Sequence, residues 1–360
     1  MEVVLLYGGK SAEHEISVLT AKDIMANLDY EEYDLQPVYI TREGEWRAAP
    51  KITGAPLANE MNFYLESAEE ASFHQEPEKS LGVVVKPCDV LNENTIAFPA
   101  LHGPNGEDGT IQGLFESLQV PYAGAGVLAS AAGMDKIVSK QLFLQAQIPQ
   151  VPFVHLTREQ YEEEQSVILA QIEGKLIYPL FIKPANMGSS IGISKANNRE
   201  EMLSGLKEAF RYDTRLIVEQ GVEAREIEVG VIGNHKPEVS VIGELIKAEG
   251  FYDYEEKYIN NKTQMAIPAD LPEELSKQIQ TYAKEAYLAI AGNGLTRCDF
   301  FLTHNDNVYI NEVNTMPGFT EFSMFPQLWQ ASGLSYRDML SKLLRLGMER
   351  FESKRQLENK

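Results

Sequence analysis

The sequence predicts an α/β (α+β) protein that begins with a parallel sheet covered by helices. Two patterns lead to this fold class. Between residues 3 and 118, short β-like runs alternate with amphipathic helical runs, which is typical of a parallel sheet with helices on its faces. From residue 226, an alternating strand pattern and a hairpin are typical of antiparallel pairing. At 360 residues, the chain is long enough for two or three packed domains.

Three strands are predicted in the first part of the chain. The apolar run 3–7 ends in two glycines, and the segment after it carries apolar side chains on one helical face. Residues 34–41 and 95–101 predict two further strands, and a glycine-rich turn and a helix follow the second. Residues 50–81 lack a clear period, so we expect a surface excursion there.

The rest of the chain continues with a mixed pattern. Residues 127–145 predict one helix, and the prolines that follow it mark a transition to a second domain. Residues 179–190 predict a strand followed by a Gly/Ser turn, and residues 216–219 predict another strand. From Glu226 the sequence alternates with period two, and residues 272–291 predict a helix that ends at a glycine.

Composition excludes several classes of protein. The chain has 32 Lys and Arg against 53 Asp and Glu, a formal net charge of −21, so the basic surface that nucleic acid requires is missing. Cys88 and Cys298 are the only cysteines, which excludes a disulfide framework and a Cys-based zinc site and fits a reducing cytoplasm. The apolar N-terminal run is too short for a membrane span.

Two glycine motifs are only superficially similar to nucleotide-binding fingerprints. Residues 9–11 resemble the end of a phosphate-binding P-loop, but Val4 stands where that motif requires glycine. Residues 124–129 fit the loose dinucleotide pattern, but they do not open the first βα unit. An oxidoreductase is therefore disfavoured.

The predicted C-terminal hairpin, residues 295–314, concentrates polar side chains. Because residues two apart share a strand face, Arg297 and Asp299 form one polar pair, and Glu312 and Asn314 form another. A turn centred on residues 305–306 places Asp299 opposite Glu312 and Arg297 opposite Asn314.

Such opposed carboxylates repel each other at about 5 Å unless a cation lies between them. The oxygen ligands of Asp299, Glu312 and Asn314 suit magnesium or manganese and suit zinc poorly. We therefore predict a divalent-metal site. The alternative is a solvated hairpin in which Arg297 neutralises both acids.

A second polar segment follows the strand predicted near residue 180. Lys183 stands at the strand end, directly before the flexible turn that contains residues 188–190. Backbone N–H groups of such a turn can hold phosphate oxygens, with the lysine as a point charge. Taken alone, an ordinary surface lysine is the commoner explanation.

Together, six short segments resemble the D-alanine–D-alanine ligases, which are ATP-grasp carboxylate–amine ligases. The segments occur in the family's order and cover most of the chain to about residue 345. They are GGKSAEHE at 8–15, LHGPNGEDG at 101–109, MDK at 134–136, KP with GSS at 183–190, FYDY with KY at 251–258, and NEVNTMPG at 311–318.

The resemblance implies a three-domain ATP-grasp architecture with ATP bound between the central and C-terminal domains. The domains would comprise residues 1–130, 131–222 and 223–360. The residues implied for ATP are Lys136 and Lys183 on the phosphates, Glu219, Gln220, Gly221 and Val222 near adenine and ribose, and Glu226 on the ribose hydroxyls. An outward-facing strand residue is the alternative for Glu226. Asp299, Glu312 and Asn314 would bind two Mg²⁺ or Mn²⁺ ions.

The resemblance also implies a substrate site. Glu13 would accept the ammonium group of the first D-alanine, with Ser189 and Tyr258 in the same hydrogen-bonded group, and residues 251–261 would form a lid. The remaining implied contacts are His102, Arg297, the N–H of Gly318, Ser323 and Lys257. A lone histidine after a strand is more often structural, but His102 precedes a Gly-rich turn at a strand end, where α/β ligand sites form.

The implied reaction is the ATP-dependent ligation of two D-alanine molecules for peptidoglycan precursor synthesis. One D-alanine carboxylate attacks the γ-phosphate of ATP, and the amine of a second D-alanine then attacks the resulting acyl phosphate. The implied partners are D-alanine and ATP, without nucleic acid or membrane, for a cytoplasmic enzyme. The sequence leaves the oligomeric state open, with a homodimer as the candidate that the resemblance offers.

Two alternatives remain open from the sequence. The first is a D-alanine–D-lactate or D-alanine–D-serine ligase, although Tyr258 disfavours the lactate form. The second is an inactive nucleotide-binding regulator. The joint presence of Asp299, Glu312 and Asn314 disfavours it, because a regulator has no need of metal-binding acids.

Overall fold

The computed structural model describes residues 1–56, 82–246 and 264–357. These residues form three β-sheets with helices packed against them, which confirms the predicted α/β class. The three sheets follow one another along the chain, and the candidate site lies where they meet.

The N-terminal sheet has five strands in the order β4-β3-β2-β1-β5. Its elements are β1 (Glu2–Gly8), α1 (His14–Asn27), β2 (Asp34–Ile40), β3 (Trp46–Ala48), β4 (Val83–Val84), α2 (Pro87–Val90), β5 (Thr95–Pro99) and α3 (Thr110–Leu118). β1 is parallel to both β2 and β5, as the alternating pattern predicts. Strands β3 and β4 were not predicted, because two or three residues are too few to show a period.

The second sheet has four strands in the order β6-β9-β7-β8, and all neighbours are antiparallel. Its elements are β6 (Phe153–Thr157), α6 (Arg158–Glu163), α7 (Gln165–Lys175), β7 (Leu180–Pro184), β8 (Ser194–Ala196), α8 (Arg199–Ala209) and β9 (Arg215–Gln220). The register sets Phe181 opposite Glu219, so Lys183 lies diagonally beside Glu219 on the same face.

The third sheet is antiparallel, in the order β12-β11-β10-β13-β14. Its elements are β10 (Ala224–Gly233), β11 (Glu238–Ile246), β12 (Gln264–Ala266), α9 (Glu273–Ala289), β13 (Gly294–Thr303) and β14 (Val308–Asn314). The predicted hairpin is therefore present as β13 and β14.

The single helix predicted over 127–145 is wrong, because two helices occur there: α4 (Val127–Met134) and α5 (Lys136–Gln145). Asp135 between them is extended, and its carboxylate accepts the N–H groups of Ile137 at 3.0 Å and Val138 at 2.9 Å. Satisfying these unpaired donors stabilises a new helix start. The break sets Lys136 at the first position of α5.

Helices α4 and α5 pack in the core of the third sheet, where Ala129 and Phe143 join Val229 and Val313. The second sheet has its own core with α7 and α8. The domain boundaries after residues 130 and 222 stay predictions.

Two C-terminal helices, α10 (Met324–Ala331) and α11 (Tyr336–Arg355), complete the described chain. Leu343 and Leu344 of α11 share a core with Val3 and Leu5 of β1, so the C-terminal part of the chain packs on the N-terminal sheet. In the three described ranges, no helix combines the length and apolar character that crossing a membrane requires.

Arg350 of α11 binds the loop after α3. Its guanidinium lies 4.1 Å from the centre of the Tyr122 ring and donates to the carbonyl of Tyr122 at 2.8 Å and to that of Gly124. Burial lowers the pKa of this guanidinium, but it stays charged.

We expect Arg350→Met to lower the free energy of unfolding by about 2–4 kcal/mol, because it leaves two buried carbonyls without donors. Arg355→Met is the control, since Arg355 is exposed on the same helix. Urea unfolding followed by fluorescence measures both variants. Equal midpoints for the two variants would show that the Arg350 contacts add nothing to stability.

Candidate active site

Two neighbouring pockets lie between the three sheets. The inter-sheet cavity, of about 580 Å³, lies between the second and third sheets and is lined by β7, β9, β10, β13 and β14. The adjoining cleft, of about 500 Å³, lies between the third sheet, α1 and the loop after β5. Six residues line both pockets: Ser190, Ile193, Glu228, Leu245, Arg297 and Glu312. These residues form a shared wall across which groups bound in the two pockets can react.

The hairpin register at this wall agrees with the sequence prediction. Asp299 is opposite Glu312, and Arg297 is opposite Asn314. Near the turn, however, Phe300 is opposite Ile310, one residue out of the predicted register. The irregularity at Asn311 adds one residue to β14 and restores the predicted pairing at the site.

Pairing of β10 with β13 extends this arrangement to a third strand. Glu228 is opposite Asp299, so Glu228, Asp299 and Glu312 form a row of three carboxylates across three adjacent strands. We did not predict Glu228, because only the β13–β14 register could be derived from the sequence. Glu226 and Glu228 are two residues apart on one strand and therefore share a face, which was the signal available in the sequence.

Arg297 neutralises part of this carboxylate row. Its Nε lies 2.7 Å from Oδ1 of Asp299 and 2.9 Å from Oε2 of Glu228. A second nitrogen of the guanidinium donates to Oδ2 of Asp299 at 2.8 Å. Although burial acts against the charged form, these acids raise the pKa of Arg297 further. Arg297 thus neutralises Asp299, as the alternative of a solvated hairpin without metal had predicted.

The acids of this row present hard oxygen atoms, the ligand type that magnesium prefers. No group of three or more His, Cys, Asp or Glu side chains in the described ranges has the geometry of a metal centre. The acids Asp299 and Glu312 with the amide of Asn314 nevertheless fit magnesium, which commonly takes one or two carboxylates together with substrate phosphates. The Asn314 amide now donates to Oδ2 of Asp299 at 2.9 Å, and rotating it would present its oxygen instead.

Lys136 reaches the same wall from the start of α5. Its Nζ donates to the carbonyl of Met187 at 2.8 Å and lies 3.5 Å from Oε2 of Glu312. Its backbone N–H donates to the carbonyl of Ala185 at 3.0 Å. The helix break at Asp135 therefore directs this ammonium group toward the loop of residues 187–190.

Lys183 and Lys140 hold Glu219 between them. The Nζ atoms of Lys183 and Lys140 lie 2.5 and 2.6 Å from the two carboxylate oxygens of Glu219. Burial alone would raise the pKa of Glu219, but the two ammonium groups lower it to about 2. Lys183 also donates to Oδ1 of Asn311 at 3.3 Å. Lys140 and Asn311 were not predicted, because only tertiary contacts bring them here.

The other predicted nucleotide residues line the inter-sheet cavity. Gln220, Gly221, Val222 and Glu226 all contribute to its wall. The side-chain oxygen of Gln220 accepts the N–H of Ile177 at 3.0 Å, and the N–H of Gly221 donates to Pro179 at 2.7 Å. These bonds attach the segment after β9 to residues 177–179 at the edge of the cavity.

Glu13 connects the N-terminal sheet to the glycine-rich loop of the second sheet. The hydroxyl of Ser189 donates to Oε1 of Glu13, 176 residues away in sequence. Ser189 and Ser190 have φ angles of 49° and 59°, a left-handed conformation that costs energy for residues other than glycine. The strained turn brings Ser189 to Glu13 at the mouth of the adjoining cleft.

His102 is buried with both ring nitrogens paired. Its Nδ1 lies 3.1 Å from the carbonyl of Met316, so Nδ1 donates, and Nε2 accepts from the Thr20 hydroxyl at 3.2 Å. Burial lowers the pKa of His102 and keeps the ring neutral. His102 thus connects α1 to the loop that carries Gly318.

Gly318 and Ser323 form the far wall of the adjoining cleft. The Ser323 hydroxyl lies 2.7 Å from that of Thr320 and accepts the Thr320 N–H at 3.1 Å. Lys257, Tyr258 and the lid predicted over 251–261 lie outside the described residues.

Glu107 is a cleft residue that we did not predict, although it belongs to the glycine-rich segment 101–109. Its Oε1 accepts the N–H of Gly103 at 2.8 Å. The loss of hydration and the nearby charge of Glu13 raise the pKa of Glu107 to about 8. Glu107 is therefore mostly protonated at neutral pH.

We expect Glu107→Gln to remove a pH dependence of stability. A carboxyl whose pKa is raised on folding stabilises the fold below its ordinary pKa and loses this contribution as pH rises toward 8. From pH 5 to 8 the wild type should lose about 3 kcal/mol relative to the variant, since one pKa unit corresponds to about 1.4 kcal/mol. Urea unfolding at several pH values measures this, with exposed Glu285→Gln as control. Parallel curves for the wild type and Glu107→Gln would contradict the raised pKa.

Comparison with known proteins connects both ends of the chain to one family. Residues 2–125 match the family described as "D-ala D-ala ligase N-terminus", and residues 142–345 match "D-ala D-ala ligase C-terminus". A D-alanine–D-alanine ligase of Enterococcus hirae is 49% identical over 359 residues, covering 98% of both chains. One from Enterococcus faecalis is 49% identical over 352 residues, covering 98% of this chain and all of the relative.

Solved structures agree with these sequence comparisons. The D-alanine–D-alanine ligase from Coxiella burnetii is 32% identical with a TM-score of 0.82, covering 99% of this chain and 97% of that one. The VanG D-Ala:D-Ser ligase from Enterococcus faecalis is 33% identical with a TM-score of 0.80, covering 96% of this chain and 99% of that one.

Proposed function

Because this chain belongs to the D-alanine–D-alanine ligase family, we infer that the inter-sheet cavity and the adjoining cleft are the two halves of its active site. The protein is an ATP-dependent ligase with the ATP-grasp fold. It joins two D-alanine molecules through an acyl phosphate and releases ADP and phosphate, for peptidoglycan precursor synthesis.

The shared wall is the observation that supports this assignment of the two pockets. Phosphoryl transfer from ATP to a carboxylate requires the two substrates to meet in line. Arg297 and Glu312 line both pockets, so a γ-phosphate in the cavity and a carboxylate in the cleft would meet beside them.

We assign the phosphates of ATP to Lys136 and Lys183. Lys136 lies beside Glu312 of the shared wall, and Lys183 lines the cavity from β7, where the charge of Glu312 acts on it. Lys183 would exchange part of its contact with Glu219 for a phosphate oxygen. The segment 219–222 would contact adenine and ribose, and Glu226 would accept the ribose hydroxyls. The walls of the cavity are consistent with this orientation.

Asp299, Glu312 and Asn314 would hold two Mg²⁺ or Mn²⁺ ions. When bound, these ions would neutralise charge on the transferred phosphoryl group. Asp299 would then turn from Arg297 toward the metal, and Glu228 would keep Arg297 in place through the contact at 2.9 Å. Arg297 remains available for the substrate carbonyl.

For the substrates, Glu13 and Ser189 would bind the ammonium group of the first D-alanine. Arg297 and the N–H of Gly318 would stabilise the oxyanion that forms when the second amine attacks. His102 would act by fixing the loop that carries Gly318, because its two nitrogens are already paired. We assign Ser323, Lys257 and Tyr258 to substrate binding as the family resemblance implies.

The similarity to a D-Ala:D-Ser ligase concerns the choice of second substrate. That structure is 33% identical, whereas the D-alanine–D-alanine ligases of Enterococcus hirae and Enterococcus faecalis are each 49% identical, so we favour D-alanine. We further propose a homodimer in the cytoplasm. Light scattering of the purified protein tests the dimer.

We expect ATP, magnesium and D-alanine to yield phosphate and D-alanyl-D-alanine, whereas L-alanine should yield little of either. The reason is that Glu13 would hold the ammonium group of the chiral carbon while Arg297 and Gly318 hold its carbonyl group. With these two groups fixed, L-alanine would place its methyl group where D-alanine has hydrogen. Phosphate release and chromatography of the dipeptide measure the reaction, with D-serine as second substrate for comparison. Equal turnover of both alanine enantiomers would contradict the assignment.

We expect Glu312→Gln to lower turnover about 100-fold with little change in stability, because it removes one charge from the carboxylate row and almost no packing. The magnesium concentration for half-maximal activity should rise. Steady-state kinetics against magnesium and thermal melts measure both effects, with exposed Glu352→Gln as control. Near-normal turnover at limiting magnesium would exclude a metal ligand at this position.

A further inference from the structure

Two carboxyl groups face one point in the adjoining cleft. A Cβ atom built on Gly188 would lie 3.2 Å from Oε2 of Glu13 and 3.8 Å from Oε1 of Glu107. Both glutamates line the cleft. The absence of a side chain at Gly188 leaves room between them for a small group.

Glu107 is held firmly in this position. Its carboxyl accepts the Gly103 N–H, and its backbone carbonyl accepts the Thr315 hydroxyl at 3.4 Å. In the part of the chain that the structure describes, no lysine, arginine or histidine forms an ion pair with this carboxyl. Its orientation comes from the backbone of the glycine-rich turn and leaves it facing the cleft.

The charges around Glu107 depend on what fills the cleft. The groups that act on it are Glu13 and Glu312, which oppose its ionisation, and Lys136, which favours it. His102 is neutral and adds no charge. Without substrate the proton stays on Glu107, since its pKa is raised to about 8 by lost hydration and by Glu13. A cation between the two glutamates would reverse the effect of Glu13.

We propose that Glu107 is a second carboxylate for the ammonium group of the first D-alanine, and that binding this substrate displaces one proton from Glu107 to solvent. The inference rests on the proposed function, which assigns that ammonium group to Glu13. The charges balance: a neutral carboxyl and an ammonium ion become a carboxylate–ammonium pair and one free proton. Glu107 would position the substrate without exchanging atoms with it.

Proton release distinguishes this role from a purely structural one. If Glu107 only closes the turn through Gly103, substrate binding leaves its proton in place. Glu107→Gln preserves the acceptor for the Gly103 N–H but cannot ionise. This variant therefore removes the proposed role and retains the structural one.

Calorimetric titration of D-alanine into the protein with ADP and magnesium tests the proposal. Titrations in phosphate and in Tris at pH 7 give the number of protons released, because the two buffers differ in ionisation enthalpy. We expect the wild type and the control Glu285→Gln to release close to one proton per D-alanine bound at the tighter site, and much less at pH 9. Glu107→Gln should release none and should raise the KM for the first D-alanine about 10-fold with little change in kcat.

Wild-type binding without proton release at pH 7 would overturn the proposal even if Glu107→Gln failed to fold. A wild type that forms dipeptide from ATP and D-alanine, but releases no proton when D-alanine binds in the presence of ADP, contradicts only the role of Glu107. A wild type that forms no dipeptide from ATP and D-alanine contradicts the proposed function and this inference together.

Discussion

The pairing of β13 with β14 is the constraint on which the site depends. A side-chain period of two means that a one-residue slip would turn Glu312 and Asn314 to the opposite face. The hairpin turn alone would produce such a slip, and the irregularity at Asn311 corrects it. One extra residue thus aligns Asp299 with Glu312, and the regular pairing of β10 with β13 places Glu228 opposite Asp299. Arg297 and Lys136 then lie beside this carboxylate row.

Charge is distributed unevenly between the surface and this site. The chain carries a net charge of −21, yet buried cations surround the shared wall. Arg297 joins two of the row's acids, Lys136 approaches the third, and Glu219 is held by two lysines. Each of these cations lies beside a carboxylate, which offsets the cost of removing it from water. Substrates that carry phosphate and carboxylate groups can enter by exchanging these partners.

Contacts between distant segments join the three sheets around the cleft. Glu13 meets Ser189, and His102 meets the carbonyl of Met316, across 176 and 214 residues. Helix α11 adds the packing of the C-terminal segment on the N-terminal sheet through Arg350. Such contacts bring single residues of each segment to within a few ångströms of each other. A reaction that needs two substrates and excludes water requires this convergence.

The sequence by itself determined the α/β class, the principal strands and the polar pairs of the hairpin, because strand and helix periods are local properties of the chain. Its short motifs also predicted Lys136, Lys183 and Glu13. Tertiary structure alone decided that Asp135 divides a predicted helix, that Glu228 extends the carboxylate row, and that Glu107 faces Glu13. The positions of Glu228 and Glu107 follow from pairing and packing between segments far apart in sequence. The environment that raises the pKa of Glu107 exists only once those segments meet.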